Sequence, residues 1–226
     1  MSAVTSSYLH VFLDGSACPY PVGKAVCVGR NYAQHAKELN NPVPEQPLLF
    51  LKPSTSLTAL SPAFSVPADA DCHHELELAL LIGAPLRQAS AAQAEAAIVG
   101  IGLGLDLTLR DRQQTLKSAG HPWELAKAFD GALPLSPFVK PAALPALAEL
   151  QFSLSVNGER RQYGEAHDMI TPAIPLIVYL TRYFTLLPGD VVMTGTPAGV
   201  AALKPGDRLQ LELAGQYRFD STVALP

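Results

Sequence analysis

The sequence predicts an α+β protein that is rich in strands, with mixed β-sheets rolled into a sandwich or barrel-like core and a few short helices at its periphery. Twenty prolines and sixteen glycines divide the 226 residues into many short segments, a pattern typical of short strands joined by long, shaped loops. Most apolar segments either alternate with polar residues or are continuously apolar over a strand's length. Helical periodicity is confined to a few short stretches.

The predicted strands are bounded by glycine or proline. In chain order they are YLHVFL (8–13), KAVCVGR (24–30), QPLLFLKP (46–53), HHELELALLIG (73–83), VGIGLGLDLT (99–108) and the two that follow the Pro-Gly-Asp turns at 188–190 and 205–207. Asn157 and Gly158 interrupt the alternation of FSLSVNGERRQYG (152–164). Because Asn-Gly is the strongest short hairpin signal, this segment predicts a β-hairpin.

Four stretches predict helices. Residues 33–39 form a short one that is followed at once by three prolines in NNPVPEQP, so we expect a mobile flap there. An alanine-rich helix is predicted near residues 90–98. The polar helix in LRDRQQTLKSAG ends at Gly120, which suits the C′ position, and Pro172 opens an apolar helix over 172–184.

The strand 73–83 carries two glutamates in an otherwise apolar run. Alternation puts its leucines at 76, 78 and 80 on one face, and puts Glu75 and Glu77 on the other beside Ala79 and Leu81. The two carboxylates would stand about 6–7 Å apart at Cα. Like charges on an apolar wall are costly unless a proton or a cation lies between them. The alternative is a solvent-facing edge strand whose acids face water.

Asp106 is a third acid, near the end of the apolar strand 99–108. Three carboxylates on adjoining strands make an all-oxygen site that suits Mg²⁺ or Mn²⁺, whereas zinc more usually recruits histidine or cysteine. His73 lies on the same predicted strand face as the glutamates, so a site that includes this histidine is an alternative.

Composition excludes several classes of protein. The net charge is −4 and the sequence has no basic run, which argues against nucleic-acid binding. Apolar runs are shorter than the ~20 residues of a membrane span, and the amino terminus lacks the features of a signal peptide. Cys18, Cys27 and Cys72 show no C-x-x-C spacing and predict neither disulfides nor a thiolate zinc site. We expect a cytoplasmic protein without a nucleic-acid or membrane partner.

Seven ordered blocks resemble the fumarylacetoacetate hydrolase superfamily, and within it the acylpyruvate hydrolase and oxaloacetate decarboxylase branch. These blocks are CVGRNYAQHAKE, LFLKP, HHELELALLIG, LDLTLRDRQ, WELAKAFD, VNGERRQ and GDVVMTGTPAGV. The resemblance runs from about Lys24 to Glu212. It implies a fumarylacetoacetase C-terminal-domain-like fold, with one catalytic domain over 1–226 made of a short amino-terminal β extension (about 1–23) and a core (about 24–226). It also implies a homodimer, the commonest closed assembly.

The resemblance implies Glu75, Glu77 and Asp106 as ligands of Mg²⁺ or Mn²⁺, and His35 and Glu38 as a catalytic pair on a lid helix. The i, i+3 spacing of that pair independently puts both side chains on one helical face. The alternative for the pair is an ordinary surface contact.

Further roles carry over in the same way. The resemblance implies Lys127 as the active-site lysine, Arg110, Gln113 and Thr196 as contacts of substrate oxygens, and Arg30 and Lys52 in supporting roles at the substrate. The alternatives are a snorkelling surface lysine for Lys127, helix-surface polarity for Arg110 and Gln113, and a turn residue for Thr196.

Two departures from the family pattern favour a small substrate. Val28 stands where the larger hydrolases carry a fourth carboxylate ligand, so the metal should keep more open positions. We also expect no counterpart of the long amino-terminal domain of the animal fumarylacetoacetate enzymes.

The activity that the resemblance implies is Mg-dependent cleavage of the C–C bond of 3-acylpyruvates, such as acetylpyruvate or fumarylpyruvate. His35 and Glu38 would activate water, and the metal and Lys127 would stabilise the departing pyruvate enolate. Oxaloacetate decarboxylation and oxaloacetate enol–keto tautomerisation reach the same enolate and are alternatives at the same site. Hydration of 2-keto-4-pentenoate-like acids and a non-catalytic metal-binding role are further alternatives.

Overall fold

The computed structural model describes residues 8–224. Its strands are β1 (Ala25–Gly29), β2 (Leu48–Lys52), β3 (Leu57–Ala59), β4 (Ala63–Phe64), β5 (Cys72–His74), β6 (Leu76–Ile82), β7 (Ile98–Leu105), β8 (Thr108–Leu109), β9 (Leu133–Leu135), β10 (Gln151–Val156), β11 (Glu159–Glu165), β12 (Val191–Met193), β13 (Ala201–Ala202), β14 (Arg208–Leu213) and β15 (Tyr217–Val223). Its α-helices are α1 (Ala33–Glu38), α2 (Ala91–Ala96), α3 (Arg110–Ala119), α4 (Glu124–Lys127) and α5 (Ala173–Leu180).

The strands form three sheets. The largest has the order β2-β1-β12-β6-β7-β9-β3, the second β11-β10-β14-β15-β4, and the smallest β13-β5-β8. Parallel pairs such as β1 with β12 occur beside antiparallel pairs such as β6 with β7. The predicted fold class, strand-rich α+β with mixed sheets and few short helices, is therefore confirmed.

Strand β6 separates two apolar cores, as its alternation predicts. The leucines at 76, 78 and 80 pack into the larger core, and Ala79 and Leu81 pack into the smaller one on the other face. The strand lies between β12 and β7 in the interior of its sheet. The alternative of a solvent-facing edge strand is therefore wrong.

Local turn signals predicted several boundaries correctly. Asn157 and Gly158 join β10 to β11 with φ values of 54° and 85°, which is the pair of positive φ angles that a type I′ hairpin turn requires. Gly120 ends α3 with φ 67°, in the left-handed conformation of a C′ glycine. Pro172 directly precedes α5.

The strand predicted over residues 8–13 is wrong. Only isolated bridges form there, between Val11 and Ala17 and between Phe12 and Phe138. The segment is extended, with Phe12 buried and its neighbours Val11 and Leu13 exposed, so its alternation reflects a real two-sided environment. A strand also needs a ladder of partners, and residues 8–13 find only single contacts.

The strand predicted over 73–83 divides into two at Glu75. Strand β5 pairs with β13 and β8, whereas β6 pairs with β12 and β7. The chain changes sheets at this glutamate, so the alternation of β6 does not continue back to His73. Within residues 8–224, no helix is long and apolar enough to cross a membrane.

Candidate functional site

The antiparallel register of β6 and β7 brings three acids together. Leu76 pairs with Leu105, so Glu75 and Asp106 are neighbours just beyond the paired strand ends, and the Asp106 N–H donates to the Glu75 carbonyl at 2.8 Å. One carboxylate oxygen from each of Glu75, Glu77 and Asp106 lies within 4.8 Å of the others. All three side chains are buried, and we call this group the acidic cluster.

The carboxylate oxygens of the acidic cluster are buried but can still accept a hydrogen bond or bind a cation. Glu77 accepts a hydrogen bond from the Gly195 N–H at 2.8 Å, while burial and the nearby Asp106 raise the pKa of Glu77 well above its ordinary value. Asp106 Oδ1 lies 2.9 Å from Lys52 Nζ but has no partner in hydrogen-bonding geometry. Three convergent carboxylates with free lone pairs are a donor set for a hard divalent cation. The residues present fit such an ion.

Lys127 is buried against the acidic cluster. Its ammonium donates to Glu75 at 2.8 Å, to Asp106 at 2.6 Å and to the Thr108 hydroxyl at 2.7 Å. Burial alone would lower the pKa of Lys127, but the charges of Asp106 and Glu75 raise it above its ordinary value, so the ammonium stays protonated. The alternative of a snorkelling surface lysine is excluded, because the side chain is only 4% exposed.

Lys52 lies behind the acidic cluster. It is fully buried, donates to the Ala132 carbonyl at 3.0 Å and to the Lys127 carbonyl, and lies beside Asp106. It does not line the cavity described below. The predicted supporting role at the substrate therefore needs correction, because carbonyl oxygens and Asp106 enclose its ammonium on the protein side.

The predicted pair on α1 is formed. His35 Nδ1 lies 3.3 Å from Glu38 Oε2, and Glu38 Oε1 accepts a hydrogen bond from the Gly199 N–H at 3.0 Å. His35 is only 4% exposed, which excludes the alternative of an ordinary surface contact. A histidine held through Nδ1 by a carboxylate is oriented to use its other ring nitrogen.

Two side chains anchor the amino-terminal end of α1. The Asn31 amide donates to the carbonyls of Thr171 and Thr194 at 2.9 Å and 2.8 Å and accepts from the Thr171 N–H at 2.8 Å. The Tyr32 hydroxyl donates to the Glu165 carbonyl at 3.1 Å. Sequence reasoning did not single out Asn31; its position between a predicted strand and a predicted helix is the signal that could have found it.

A small cavity connects α1 with the acidic cluster. The predicted site residues that line it are Arg30, His35, Glu75, Glu77, Arg110, Gln113, Lys127 and Thr196. Its volume is about 40 Å³, which is room for a few water molecules at most. In the structure α1 thus covers the acidic cluster, and the cavity must widen to hold a substrate.

The residues predicted to hold substrate oxygens converge on that cavity. Arg110 contacts the Glu75 carboxylate and donates to Gln113 at 2.7 Å. The Thr196 hydroxyl accepts from Gln162 at 2.8 Å, and the carbonyl of the same amide accepts from the Leu76 N–H. Gln162 was missed by sequence reasoning; its inward position on β11 was available from the alternation of the hairpin. It ties the loop of Thr196 to the strand of the glutamates.

His73 is not part of the acidic cluster. Its Nε2 lies 3.1 Å from an Asp71 carboxylate oxygen, and β5, which carries it, pairs in a different sheet from β6. The alternative of a site that includes His73 is therefore wrong. Val28, which stands at the position of the fourth carboxylate in the family pattern, is buried and lines the cavity, so that wall is apolar.

Gly199 sets the position of the loop that holds Glu38. Its φ is +100° and an added Cβ would lie 1.9 Å from the Arg161 carbonyl oxygen. We expect Gly199→Ala to lower the free energy of unfolding by about 3 kcal/mol, from left-handed strain and overpacking together. Gly215→Ala is the matched control, since its φ is +63° and its Cβ would meet nothing within 4 Å. Urea titration should show a loss of about 1 kcal/mol there; equal losses would contradict the clash.

We predict that residues 32–47, the lid segment, gain order when a chelating acid occupies the site. The segment combines the short helix α1 with three prolines, and its His35 lines the cavity, so a bound acid would add contacts to the segment. Hydrogen exchange with Mg²⁺ present should therefore slow over 32–47 on addition of oxalate. The hairpin of β10 and β11 serves as the internal reference. Unchanged protection over 32–47 would rule out a lid.

The fold and the site together define a class of protein. It is a strand-rich α+β protein that closes a short helix with a His–Glu pair over three buried carboxylates and a buried lysine. A sequence profile of the fumarylacetoacetate (FAA) hydrolase C-terminal family matches residues 24–224. The chain belongs to the fumarylacetoacetate hydrolase family of enzymes.

Relatives in this family act on small keto acids. The chain is 51% identical to oxaloacetate tautomerase YcgM of Escherichia coli (strain K12), over 92% of this chain and 96% of the relative. It is 44% identical to the mitochondrial oxaloacetate tautomerase FAHD1 of Bos taurus, over 89% and 91%. A crystal structure of fumarylpyruvate hydrolase from Pseudomonas aeruginosa in complex with Mn²⁺ and pyruvate superposes with a TM-score of 0.89 at 34% identity, covering 99% of this chain and 98% of that one.

Proposed function

We propose that the protein is an oxaloacetate tautomerase, which interconverts the enol and keto forms of oxaloacetate with Mg²⁺ or Mn²⁺ at the acidic cluster. The observation that carries the proposal is that His35 lines the same cavity as Glu75 and Glu77. A proton-transferring side chain and a hard-cation donor set thus face one small space. The 51% identity to a relative named for this activity supports the choice among the reactions that share an enolate.

The chemistry needs one end of the substrate fixed at the acidic cluster. Glu75, Glu77 and Asp106 would hold a divalent cation there, and this ion would supply Lewis acidity at the keto oxygen and charge neutralisation for an enolate. Arg110 and Gln113 on α3 and Thr196 on the loop after β12 line the cavity and can donate hydrogen bonds to the oxygens of the 2-oxo acid end. The Lys127 ammonium stays protonated and adds positive charge beside that end.

Conversion of enol to keto adds a proton at C3 and removes one from the C2 oxygen. Binding as the enolate releases the hydroxyl proton to water, a protonated His35 can then deliver its proton to C3, and a proton taken up from water restores protonated His35. In the reverse direction neutral His35 removes a C3 proton. Glu38, held by the Gly199 N–H, keeps the ring oriented through Nδ1 and stabilises its cationic form.

Acylpyruvate hydrolysis is a second candidate. The likeness to the fumarylpyruvate hydrolase of Pseudomonas aeruginosa over nearly the whole of both chains supports it. In that reaction neutral His35 would instead remove a proton from a water molecule that attacks the distal acyl carbonyl. We rank this candidate after the tautomerase, because the identity to the fumarylpyruvate hydrolase is lower, 34% against 51%.

A direct comparison of substrates tests the proposal. Enol oxaloacetate, freshly dissolved, loses its ultraviolet absorbance as it becomes the keto form, and the enzyme should accelerate this decay with Mg²⁺ present. Acetylpyruvate, fumarylpyruvate and oxaloacetate should be assayed in parallel by coupling to pyruvate detection. Acceleration of acylpyruvate cleavage without acceleration of enol decay would replace the tautomerase by the hydrolase.

We also propose that the protein is a homodimer. The edge strand β2 leaves Leu51 36% exposed, and Leu125 on the neighbouring α4 is 65% exposed. A groove of about 380 Å³ along this edge is lined by leucines of β2 together with Trp123 and Phe184. Exposed apolar edges are normally covered. Light scattering at micromolar concentration should give the mass of two chains, and a monomer mass would refute the proposal.

A further inference from the structure

Two cations in the cavity wall are left without an acidic partner. The acidic cluster is already contacted by Lys52, Arg110 and Lys127. Arg30 and Lys117 also line the cavity, yet neither forms an ion pair with any of residues 8–224. Positive charges that face a cavity unmatched are suited to an anionic ligand group.

Lys117 connects the cavity to the lid segment. It shares one face of α3 with Arg110 and Gln113 at i+3 and i+7 spacing, so it lies about 10 Å further along the helix than the arginine that contacts Glu75. Its ammonium donates to the Asn41 side chain at 3.0 Å, and the Asn41 N–H donates to the Ala36 carbonyl of α1 at 2.8 Å. The row of polar residues on α3 thus leads from the acidic cluster to the lid.

Arg30 occupies a backbone position that favours glycine. Its φ is +58°, a left-handed conformation that is uncommon for residues with a side chain and is often found at functional sites. Arg30 also lies close enough to Lys117 to lower the pKa of that ammonium, after burial as the larger cause. Arg30 therefore lies beside another cation, at a position where the backbone conformation favours glycine.

We propose that Arg30 and Lys117 form a subsite for the second carboxylate of a dicarboxylic 2-oxo acid whose keto-acid end lies at the acidic cluster. This inference rests on the proposed function, because oxaloacetate is such a dicarboxylate, and it assigns the selectivity to two residues. Since Lys117 also contacts Asn41, an anion in the subsite holds the lid segment closed over the substrate.

Malate and lactate provide a test that does not depend on turnover. Both present a 2-hydroxy acid end for chelation, and malate has in addition the distal carboxylate. Trp123, the only tryptophan, lines the cavity, so its fluorescence can report binding in the presence of Mg²⁺; calorimetry gives the same constants. Wild-type protein should bind malate more tightly than lactate. Lys117→Met should lower that preference about 10- to 100-fold, the worth of a charge-assisted hydrogen bond, with lactate affinity unchanged.

Matched variants separate binding from structure. Lys117→Arg should restore the preference for malate, and Lys204→Met, which removes an exposed lysine elsewhere, should not alter it. Arg30→Gly removes a cation and the backbone strain together. It should therefore weaken malate binding while the midpoint of thermal unfolding stays constant or rises, an outcome that a purely structural role of Arg30 would not produce.

The outcomes distinguish this inference from the proposed function. If Lys117→Met loses the preference for malate but the wild-type protein does not accelerate enol decay, the subsite is supported and the tautomerase proposal is rejected. The opposite result would overturn the subsite and retain the tautomerase. In that case the wild-type protein accelerates enol decay, but either it does not prefer malate or its preference survives both Lys117→Met and Arg30→Gly. Oxalate binding in each variant shows that the chelating end of the site is intact.

Discussion

Replacing Glu77 by glutamine is expected to reduce the enol decay of oxaloacetate to nearly its uncatalysed rate. Glu77 is buried, lies within 4.8 Å of the other cluster carboxylates and is in the cavity wall. Its loss removes one anionic donor of three from the candidate cation site. A Lewis acid contributes several kcal/mol to such a reaction, and ~4 kcal/mol corresponds to about 10³ in rate.

The same variant should fold at least as well as the wild type when no divalent ion is added. Glutamine has the shape of glutamate and keeps an oxygen for the Gly195 N–H, and it removes a buried charge that burial and Asp106 both disfavour. Glu77→Gln should therefore raise the midpoint of thermal unfolding, or leave it constant, in a chelator. Added Mg²⁺ should raise the midpoint of the wild type, because an ion that binds only the folded state stabilises it, but should not raise that of the variant.

Asp168→Asn is the control for this prediction. Asp168 belongs to a second group of potential ligands, with Glu165 and His167, but its side chain and that of His167 are exposed. This variant should keep both the activity and the Mg²⁺-dependent rise in midpoint. Wild-type activity that survives exhaustive chelation, or a Glu77→Gln variant within tenfold of the wild type, would contradict the cation site.

The sequence was sufficient to predict those features of the fold that depend on residues close together along the chain. The hairpin at Asn157 and Gly158 and the helix end at Gly120 follow from backbone preferences of those residues alone. Pairing is different, because it depends on partners far away in sequence. The break of the strand at Glu75 results from strands β8, β12 and β13, each at least thirty residues further on, and no local pattern marks it.

The site residues divide in the same way, into those that a local sequence pattern reveals and those that only contacts distant in sequence reveal. Acids in apolar runs stand out, since burying a charge is costly without a reason, and this identified the members of the acidic cluster. Asn31 and Gln162 were missed because polar side chains are ordinary in loops and hairpins. Only their distant partners, such as Thr194 for Asn31 and Thr196 for Gln162, show that they hold the site together. Lys52 is the opposite case. The resemblance predicts it at the substrate, and only the three-dimensional structure shows that it lies behind Asp106.

His35→Ala is expected to lower the rate of enol–keto tautomerisation by about 10²- to 10⁴-fold, the contribution of a general acid–base. His35 is the ionisable side chain of α1 that lines the cavity, and Glu38 Oε2 lies 3.3 Å from its Nδ1. The acidic cluster does not depend on it, so the Mg²⁺-dependent rise in unfolding midpoint should remain. Exogenous imidazole should restore part of the activity, because the substitution opens space where the ring was. Glu38→Gln should lose less, since it leaves the imidazole in place.

The comparison of substrates in His35→Ala separates proton transfer from lid closure. Acylpyruvate cleavage needs an activated water and should be lost along with tautomerisation, whereas oxaloacetate decarboxylation needs neither a hydroxide nor a C3 base to reach the enolate and should be largely retained. Equal losses in all three reactions would mean that His35 acts on a shared step or that closure of the lid segment limits them all. Hydrogen exchange over residues 32–47 with oxalate then decides between the two. Normal ligand-induced protection in the variant would leave the shared chemical step as the cause, and lost protection would assign the defect to closure.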